Sequence, residues 1–538
     1  MRPRTFVLSA LVALSLALWQ IHTLSQANRF DIVIHGGRVV DGTGNPWFVS
    51  DIGIKGDTIA AVDPGLDTAG AHVIDATGLV VAPGFIDVHS HAEARGDGQD
   101  AIGNPATENN IRQGVTTIFA SPDGGGSVHV AEYLSKVTAA RPAVNVGTFI
   151  GHGSVRSEVI GQADRVATGD EIQRMRSLVR TGMREGAFGL STGLFYVPGS
   201  YAPLEEVIDL ASVAGEFGGI HQSHMRDEAG KVLDSVRDTI AIGERGRLPT
   251  QVTHHKIIGK ANWGRSVDTL RLIDDARARG VDVTIDQYPY TASSTSIQGG
   301  LLPPWVQEGG RQKMLDRLKD ESSLRRALTA ITSAIENDRG GGDPANVVLA
   351  ACPFDPSLAG KNLSQVLRQR GRPATPDQAA DLVIEIVQKG GCSAVYHAIS
   401  EDDLVRIMKH PATMIASDAA PGMPEFGKDV PHPRAYGTFA RVLGVYVREK
   451  KVLSLEDAVR KMSSFPARRM GLPDRGIVRT GMKADIVVFD PATIVDKATF
   501  ERPHQYAEGI SSVIVNGVAT LEAGKITGQR AGRALTRH

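Results

Sequence analysis

The stretch Val80–His91, VVAPGFIDVHSH, decides how the rest of the chain is read. Leu79–Ala82 is an apolar run of the length of a buried strand. Pro83-Gly84 punctuates it, and Phe85–Val88 resumes an extended pattern ending in His89-Ser90-His91. Residues i and i+2 of a strand share a face, so both imidazoles can point at one ion. A lone pair of this spacing is as readily two satisfied histidines near a loop. The decision rests on what lies downstream: further strand ends carrying His or Asp, at the intervals of a repeated strand–helix fold.

That rhythm runs from about residue 84 to 472. VTTIFA, AVNVGTFIGHG, AFGLSTG, IHQSHMR, PTQVTHHK and VDVTIDQYPY read as strands. Between them DEIQRMRSLVRTGMREG, EEVIDLASVAGEFGG, VLDSVRDTIAIGERG and SVDTLRLIDDARARG read as helices. The alternation predicts an α/β fold with a parallel sheet, and the length suits a (β/α)8 TIM-like barrel. A doubly wound open sheet is the alternative, but no glycine-rich phosphate loop opens a helix here. Residues 298–376 break the rhythm with Pro303-Pro304-Trp305 and a charged helical run, and read as an inserted lid; Leu301, Leu302 and Trp305 either contact an apolar part of a ligand or merely seat the lid.

Residues 28–83 and 473–527 have a different texture, short alternating strands broken by Gly-Gly, Lys-Gly-Asp and Asn516-Gly517. Neither block can bury a core alone, so the two ends are expected to pair into one small β-sandwich, with a frayed tail after Ala523-Gly524. Met1–Ala27 has Arg2 and Arg4, an apolar run Phe6–Trp19 and a small-residue exit at Ser25-Gln26-Ala27. This is the layout of a signal peptide, which predicts export, most simply to a bacterial periplasm; an uncleaved anchor reaching Ile21 is the alternative. No other stretch looks membrane-spanning.

The 538 residues are 41% hydrophobic with net charge −1, a globular composition with no basic stripe to engage nucleic acid. Cys352 and Cys392 are too few for a disulfide framework and are expected as buried thiols, although one bridge is open to them. Oligomeric state is not legible.

The polar clusters fall at strand ends: His89 and His91, then Asp123 after VTTIFASP, His224, His254, and Asp418 closing TMIASD. Imidazoles and carboxylates suit zinc, and together these can hold two such ions with one carboxylate between them. Such a pair lowers the pKa of a water and polarises a carbonyl, as amide hydrolysis at neutral pH requires. Asp418 is placed to carry the proton to the leaving nitrogen.

On GFIDVHSH (Gly84–His91), IGHGSVR (Ile150–Arg156), EGAFGLSTGLFYVPGSYA (Glu185–Ala202), HMRDE (His224–Glu228), THHK, DQYPYTASST (Asp286–Thr295), IASD, HPRAYGTFARVLG (His432–Gly444) and GMKADIVVFD (Gly481–Asp490), the chain resembles the amidohydrolase superfamily. More narrowly it resembles the D-aminoacylase / N-acyl-D-amino-acid deacylase family, from Phe30 to Thr527. The resemblance implies hydrolysis of the amide in N-acyl amino acids, small-molecule substrates of D configuration, with one or two divalent ions (Zn2+). It implies His89 and His91 as ligands of one metal site and His224 and His254 of the other, with Asp418 as acid/base. Tyr196 is implied as donor to the scissile carbonyl oxygen, and Lys256, Tyr288, Ser294 and Arg434 at the substrate carboxylate.

One departure stands out. The family carries a cysteine ligand in a GNCG-like turn after the second barrel strand, where this chain has Ser121-Pro122-Asp123-Gly124. Asp123 is therefore expected as a harder replacement ligand; the alternatives are that it only shapes the turn, or that Glu93 approaches the site instead. His255 should face the outer layer and His221 should be structural. His152 and His397 are further candidates for the pocket, while Glu185 and Arg226 are expected to brace strand ends. A dipeptidase, a cyclic-amide hydrolase, or a catalytically silent exported binding protein are the competing functions.

Overall fold

The computed structural model describes residues 30–93, 100–421 and 429–537. The predicted signal peptide, Met1–Ala27, lies outside them. Among the described residues no helix is long and apolar enough to cross a membrane.

Eight parallel strands form the centre: Phe85–Asp87, Val115–Ala120, Asn145–Thr148 (continued as Ile150–Gly151), Gly189–Gly193, Ile220–His224, Thr250–Val252, Val283–Gln287 and Thr413–Ile415. Neighbours pair in sequence order, as in Asp87↔Ile118, Gly193↔His224 and Gln287↔Ile415. The ring closes where Ser90 bridges Ala419, with Asp418 N donating to His89 O at 2.9 Å. Closure rules out the open sheet. The strands are buried on both faces, with polar residues such as Asn145, Ser191, Gln222 and Gln251 enclosed along with the apolar ones. Their helices bury one stripe and are capped locally. Gly169–Arg184, for instance, starts on a capping box in which Thr168 Oγ accepts from Glu171 N at 3.3 Å and Glu171 accepts from Thr168 N at 2.8 Å.

Both chain ends build the second domain, whose strands join in one continuous nine-stranded sheet. Its seam is the antiparallel ladder between Val80–Pro83 and Ile486–Phe489, with Val81 opposite Val488. The sheet rolls over until Thr58 bridges Lys483, enclosing Ile34, Ile52, Ile59, Val488 and Ile514. The two layers expected of a sandwich are therefore two halves of one sheet.

The segment after Gly524 is not a frayed tail. Val146 N donates to Arg533 O at 2.9 Å, Leu535 N to Val146 O at 2.8 Å and Arg537 N to Gly186 O at 3.1 Å. The chain end thus fills the splay between the third and fourth barrel strands at their amino ends. Small residues make the approach possible: a Cβ on Gly532 would stand 1.9 Å from Val144 O. Such a contact has no periodicity to betray it in the sequence.

The insertion is wider than its composition suggested. Ser293–Ser296, Ser393–Tyr396 and Val347–Ala351 pair antiparallel in that order, so its neck closes outside residues 298–376. It has its own core, including Ile297, Ile331, Leu349 and Leu382. Leu301 and Leu302 belong to that core and Trp305 packs against it, so the three seat the insertion and do not line the cavity. Cys352 and Cys392 are not free thiols but a disulfide, with Cα atoms 4.4 Å apart, pinning two of the insertion's strands. Closing a loop of 40 residues is worth about 4 kcal/mol on chain-entropy grounds. The Cys352→Ser, Cys392→Ser double variant should therefore unfold earlier and be cut faster within residues 293–396. A melting curve unaffected by reductant would contradict this.

Candidate metal centre and active-site cavity

The predicted site residues converge at the carboxyl end of the barrel. His89 and His91 extend the first strand with their rings on one side, centroids 5.6 Å apart. Asp123 lies three residues past the second strand, His224 ends the fifth, His254 lies two past the sixth and Asp418 three past the eighth. Asp123, His254 and Asp418 all have left-handed backbones, with φ of 54°, 35° and 53°. Non-glycine residues persist there only when their surroundings hold them, and such strain collects at functional sites. Glycine packing supplies the hold at Asp123: a Cβ on Gly193 would stand 2.0 Å from Asp123 O, and one on Gly124 2.7 Å from Gly193 N.

The donor atoms form two groups that share Asp123. In the first, His89 Nε2 lies 3.4 Å from both Asp123 Oδ1 and Asp418 Oδ1. His91 Nε2 lies 3.1 Å from Asp418 Oδ1 and 3.6 Å from Asp123 Oδ2. In the second, His224 Nδ1 stands 3.3 Å from Asp123 Oδ2, and His254 Nε2 stands 3.5 Å from Asp123 Oδ1. Donors about 2.1 Å from a four-coordinate ion stand about 3.4 Å from one another, so both groups have the edge lengths of a coordination sphere. His89 Nε2 and Asp123 Oδ1 are buried and make no hydrogen bond, which is costly unless something else satisfies them. The residues fit divalent metal ions, and Asp123 occupies the position where it can serve both.

The electrostatics agree. Burial opposes charging His89, yet Asp123, Asp286 and Asp418 outweigh it and hold the imidazole well above its ordinary value. Burial likewise pushes Asp123 upward, but His89, His254 and His224 pull it well below the carboxylate range. A site that so strongly favours positive charge beside its carboxylates is one that a cation suits.

Three carboxylates stand behind the imidazoles, and of these only Glu93 was considered for the site from the sequence. Glu93 Oε1 lies 3.2 Å from His91 Nδ1, Asp286 Oδ2 3.8 Å from His89 Nδ1, and Glu228 Oε1 3.2 Å from His254 Nδ1. Asp286 also accepts from His254 N at 2.7 Å. Such partners fix ring orientation and raise ligand basicity. Glu93 thus approaches the site together with Asp123 and not in its place. The signal for Glu228 was its position four residues past His224 within HMRDE; for Asp286 it was the polar residue closing an apolar strand.

These groups open on a cavity of about 660 Å³. Asp123, His224, Tyr196 and Asp418 line it together with Lys256, Tyr288, Ser294 and Arg434. Arg434 donates to an Asp418 oxygen and, through Nη2, to Ser294 O at 3.4 Å. Burial raises Asp418, but Arg434 and His254 hold it well below its usual range, so it stands ready as a base. The Tyr196 hydroxyl lies 3.0 Å from Thr295 Oγ1, and burial pushes its phenol far up, leaving it a proton donor. The buried Tyr288 hydroxyl has no hydrogen-bond partner among the described residues.

Other candidates fall outside. His397 packs its ring against Phe500 at 4.7 Å rather than lining the cavity. His152 is fully buried 3.1 Å from Glu206 and does not line the cavity. His255 meets Thr269 on a barrel helix at 2.8 Å, and His221 lies between Thr192 and Thr250, as the strand parity required. Glu185 accepts from Ala131 N, and Arg226 donates to Ser200 O and Ala202 O, both bracing the frame.

The amidohydrolase family model matches residues 72–296 and 406–520, and the gap between the two matches covers most of the insertion. The chain is 37% identical to the D-aminoacylase of Alcaligenes xylosoxydans xylosoxydans, over 95% of this chain and 99% of that one. It is 34% identical to the N-acyl-D-glutamate deacylase of the same organism, covering 95% and 97%. The crystal structure of N-acyl-D-glutamate deacylase from Bordetella bronchiseptica, complexed with zinc and a phosphonate mimic of the tetrahedral intermediate, superposes with a TM-score of 0.79. That pair is 32% identical, covering 95% of this chain and 100% of the other. With the fold, the two donor groups and the cavity in one arrangement, the chain belongs to the amidohydrolase family, in its D-aminoacylase and N-acyl-D-amino-acid deacylase branch.

Proposed function

We propose that this protein is an exported, zinc-dependent deacylase that hydrolyses N-acyl-D-amino acids to a carboxylate and a free amino acid. The observation that carries the reading is the clustering of four imidazoles and two aspartates beside a cavity that Lys256, Tyr288 and Arg434 also line. His89, His91, Asp123 and Asp418 would hold one ion, and Asp123, His224 and His254 a second. An ion bound there supplies Lewis acidity, lowering the pKa of water and polarising a carbonyl.

The protein's own groups supply the rest. Asp418 takes the proton of the attacking water on its carboxylate and passes it to the leaving nitrogen. Tyr196 donates its hydroxyl hydrogen to the carbonyl oxygen as that atom gains charge. Arg434, Lys256 and the unpartnered Tyr288 hydroxyl receive the α-carboxylate of an open substrate, for which a neutral cyclic amide offers no counterpart. Retention of the base beside intact donor groups supports an enzyme over a silent binding protein. The disulfide supports an oxidising compartment.

Tyr196→Phe should lower kcat by about 100-fold with KM little changed, because the hydrogen bond strengthens in the transition state. The reading as a whole is tested by incubating zinc-loaded protein with matched N-acetyl D- and L-amino acids and measuring free amine. Release from the D series is expected. Failure to release amine from either series would overturn it. Recovery of a periplasmic protein whose amino terminus follows Ala27 would test the export.

A further inference from the structure

The carboxylate end of the cavity holds more positive charge than one α-carboxylate requires. Lys256, Arg339 and Arg434 all line it. Among the described residues Lys256 and Arg339 share one ion-pair partner, Glu228, which lies 3.1 Å from Arg339 Nη2 and also accepts from Lys256 Nζ. Arg434 is opposite Asp418, whose charge is also part of the metal-donor set. A substrate carboxylate that engages Arg434 and Lys256 leaves the Arg339–Glu228 pair with no surplus only if Lys256 spends its whole charge on the substrate. Once an ion claims Asp418, Glu228 and the α-carboxylate balance two of the three cations among the described residues, and the one left over is costly at a buried position without an anion.

Arg339 itself comes from the insertion, at the turn after the helix Glu321–Asn337. It is 5% exposed, and its guanidinium carbon stands 4.4 Å from the Phe195 ring centroid. Its Nη1 donates to Ser293 Oγ at 3.3 Å. Around it the wall is a run of hydroxyls, Ser293–Ser296 with Ser393, while Leu301 and Leu302 face the insertion's own core. A wall of that kind offers an apolar side chain little, and an anionic one a planar, fixed donor.

We infer that Arg339 is a specificity-determining residue that receives a carboxylate on the substrate's side chain, so that the preferred substrates are N-acyl derivatives of acidic amino acids. The inference rests on the deacylase reading above and names the substrate class of that same site. Lys256 and Arg434 take the α-carboxylate, Arg339 the side-chain carboxylate, and Glu228 holds Arg339 and Lys256 apart and in place.

The test compares kcat/KM for N-acetyl-D-glutamate with its near-isostere N-acetyl-D-glutamine, and for the aspartate and asparagine pair. Wild-type protein should prefer one of the two acids over its amide by about 10- to 100-fold, the range of a hydrogen bond to a charged group. Arg339→Gln should reduce that preference to within a few-fold, chiefly by slowing the acid, and Arg339→Lys should restore part of it. Equal or better turnover of the amides by wild-type protein overturns the inference, and this holds even if the variants do not fold. An equal loss on acid and amide in a folded Arg339→Gln would show a purely structural arginine, and also overturns it. No turnover of any N-acyl amino acid would overturn the deacylase reading and this inference with it, whereas turnover confined to neutral side chains would overturn this inference alone.

Discussion

Asp418→Asn is expected to lower kcat by about 1,000-fold, within the range of a lost general acid–base group. Asparagine preserves the shape, and its carbonyl can still accept from Arg434, so the fold and the cavity should survive. What is lost is the ability to take up a proton. Asp418 is held there by an arginine on one oxygen and by two imidazoles near the other, at 3.1 Å and 3.4 Å. That arrangement keeps it ionised despite burial, which is the state a base needs before the reaction. Steady-state kinetics with a folding control by circular dichroism would check it. Activity within tenfold of wild type would place the proton on another group, and Glu93 beside His91 is the next carboxylate on the cavity wall.

Asp123→Ala should weaken zinc binding by at least about 100-fold, because losing even a hydrogen-bonding partner behind a ligand costs 10- to 100-fold. Asp123 is the one residue common to both donor groups, with Oδ1 toward His89 and His254 and Oδ2 toward His91 and His224. Its removal therefore weakens both groups at once, whereas removing a histidine weakens one. Asp123→Cys should keep metal binding while shifting preference toward softer ions. Competition with a chromophoric chelator measures both. Unchanged affinity in Asp123→Ala would mean that the aspartate only shapes its glycine turn.

The parts of this site that were legible in the sequence are those that strand parity and repetition control. His89 and His91 share a face because they are two residues apart, His254 faces inward because His255 faces a helix, and the barrel's repeat places each cluster at a carboxyl end. The pairing of the two chain ends was legible for a similar reason, since neither could bury a core alone. What was hidden depends on contacts between distant segments. Cys352 and Cys392 meet because the insertion's strands pair antiparallel, and nothing local to either cysteine reports that. Arg533 and Leu535 add backbone bonds to Val146 without any alternating pattern. Arg339 sits in a glycine-flanked turn of an insertion with no barrel rhythm, and only the fold brings it beside Glu228. Leu301 and Leu302 looked like a substrate wall because they are apolar near the cavity. The insertion has a core of its own, and that core claims them.

The central claim is that His89, His91, Asp123 and Asp418, and likewise Asp123, His224 and His254, surround divalent metal ions. Anomalous diffraction collected on either side of the zinc absorption edge, from crystals of the zinc-loaded protein, tests it most directly. A zinc-specific peak is expected within about 2.0–2.2 Å of the donor atoms of at least one group, with Asp123 among its ligands. Fully active crystals with no such peak between these side chains would contradict it.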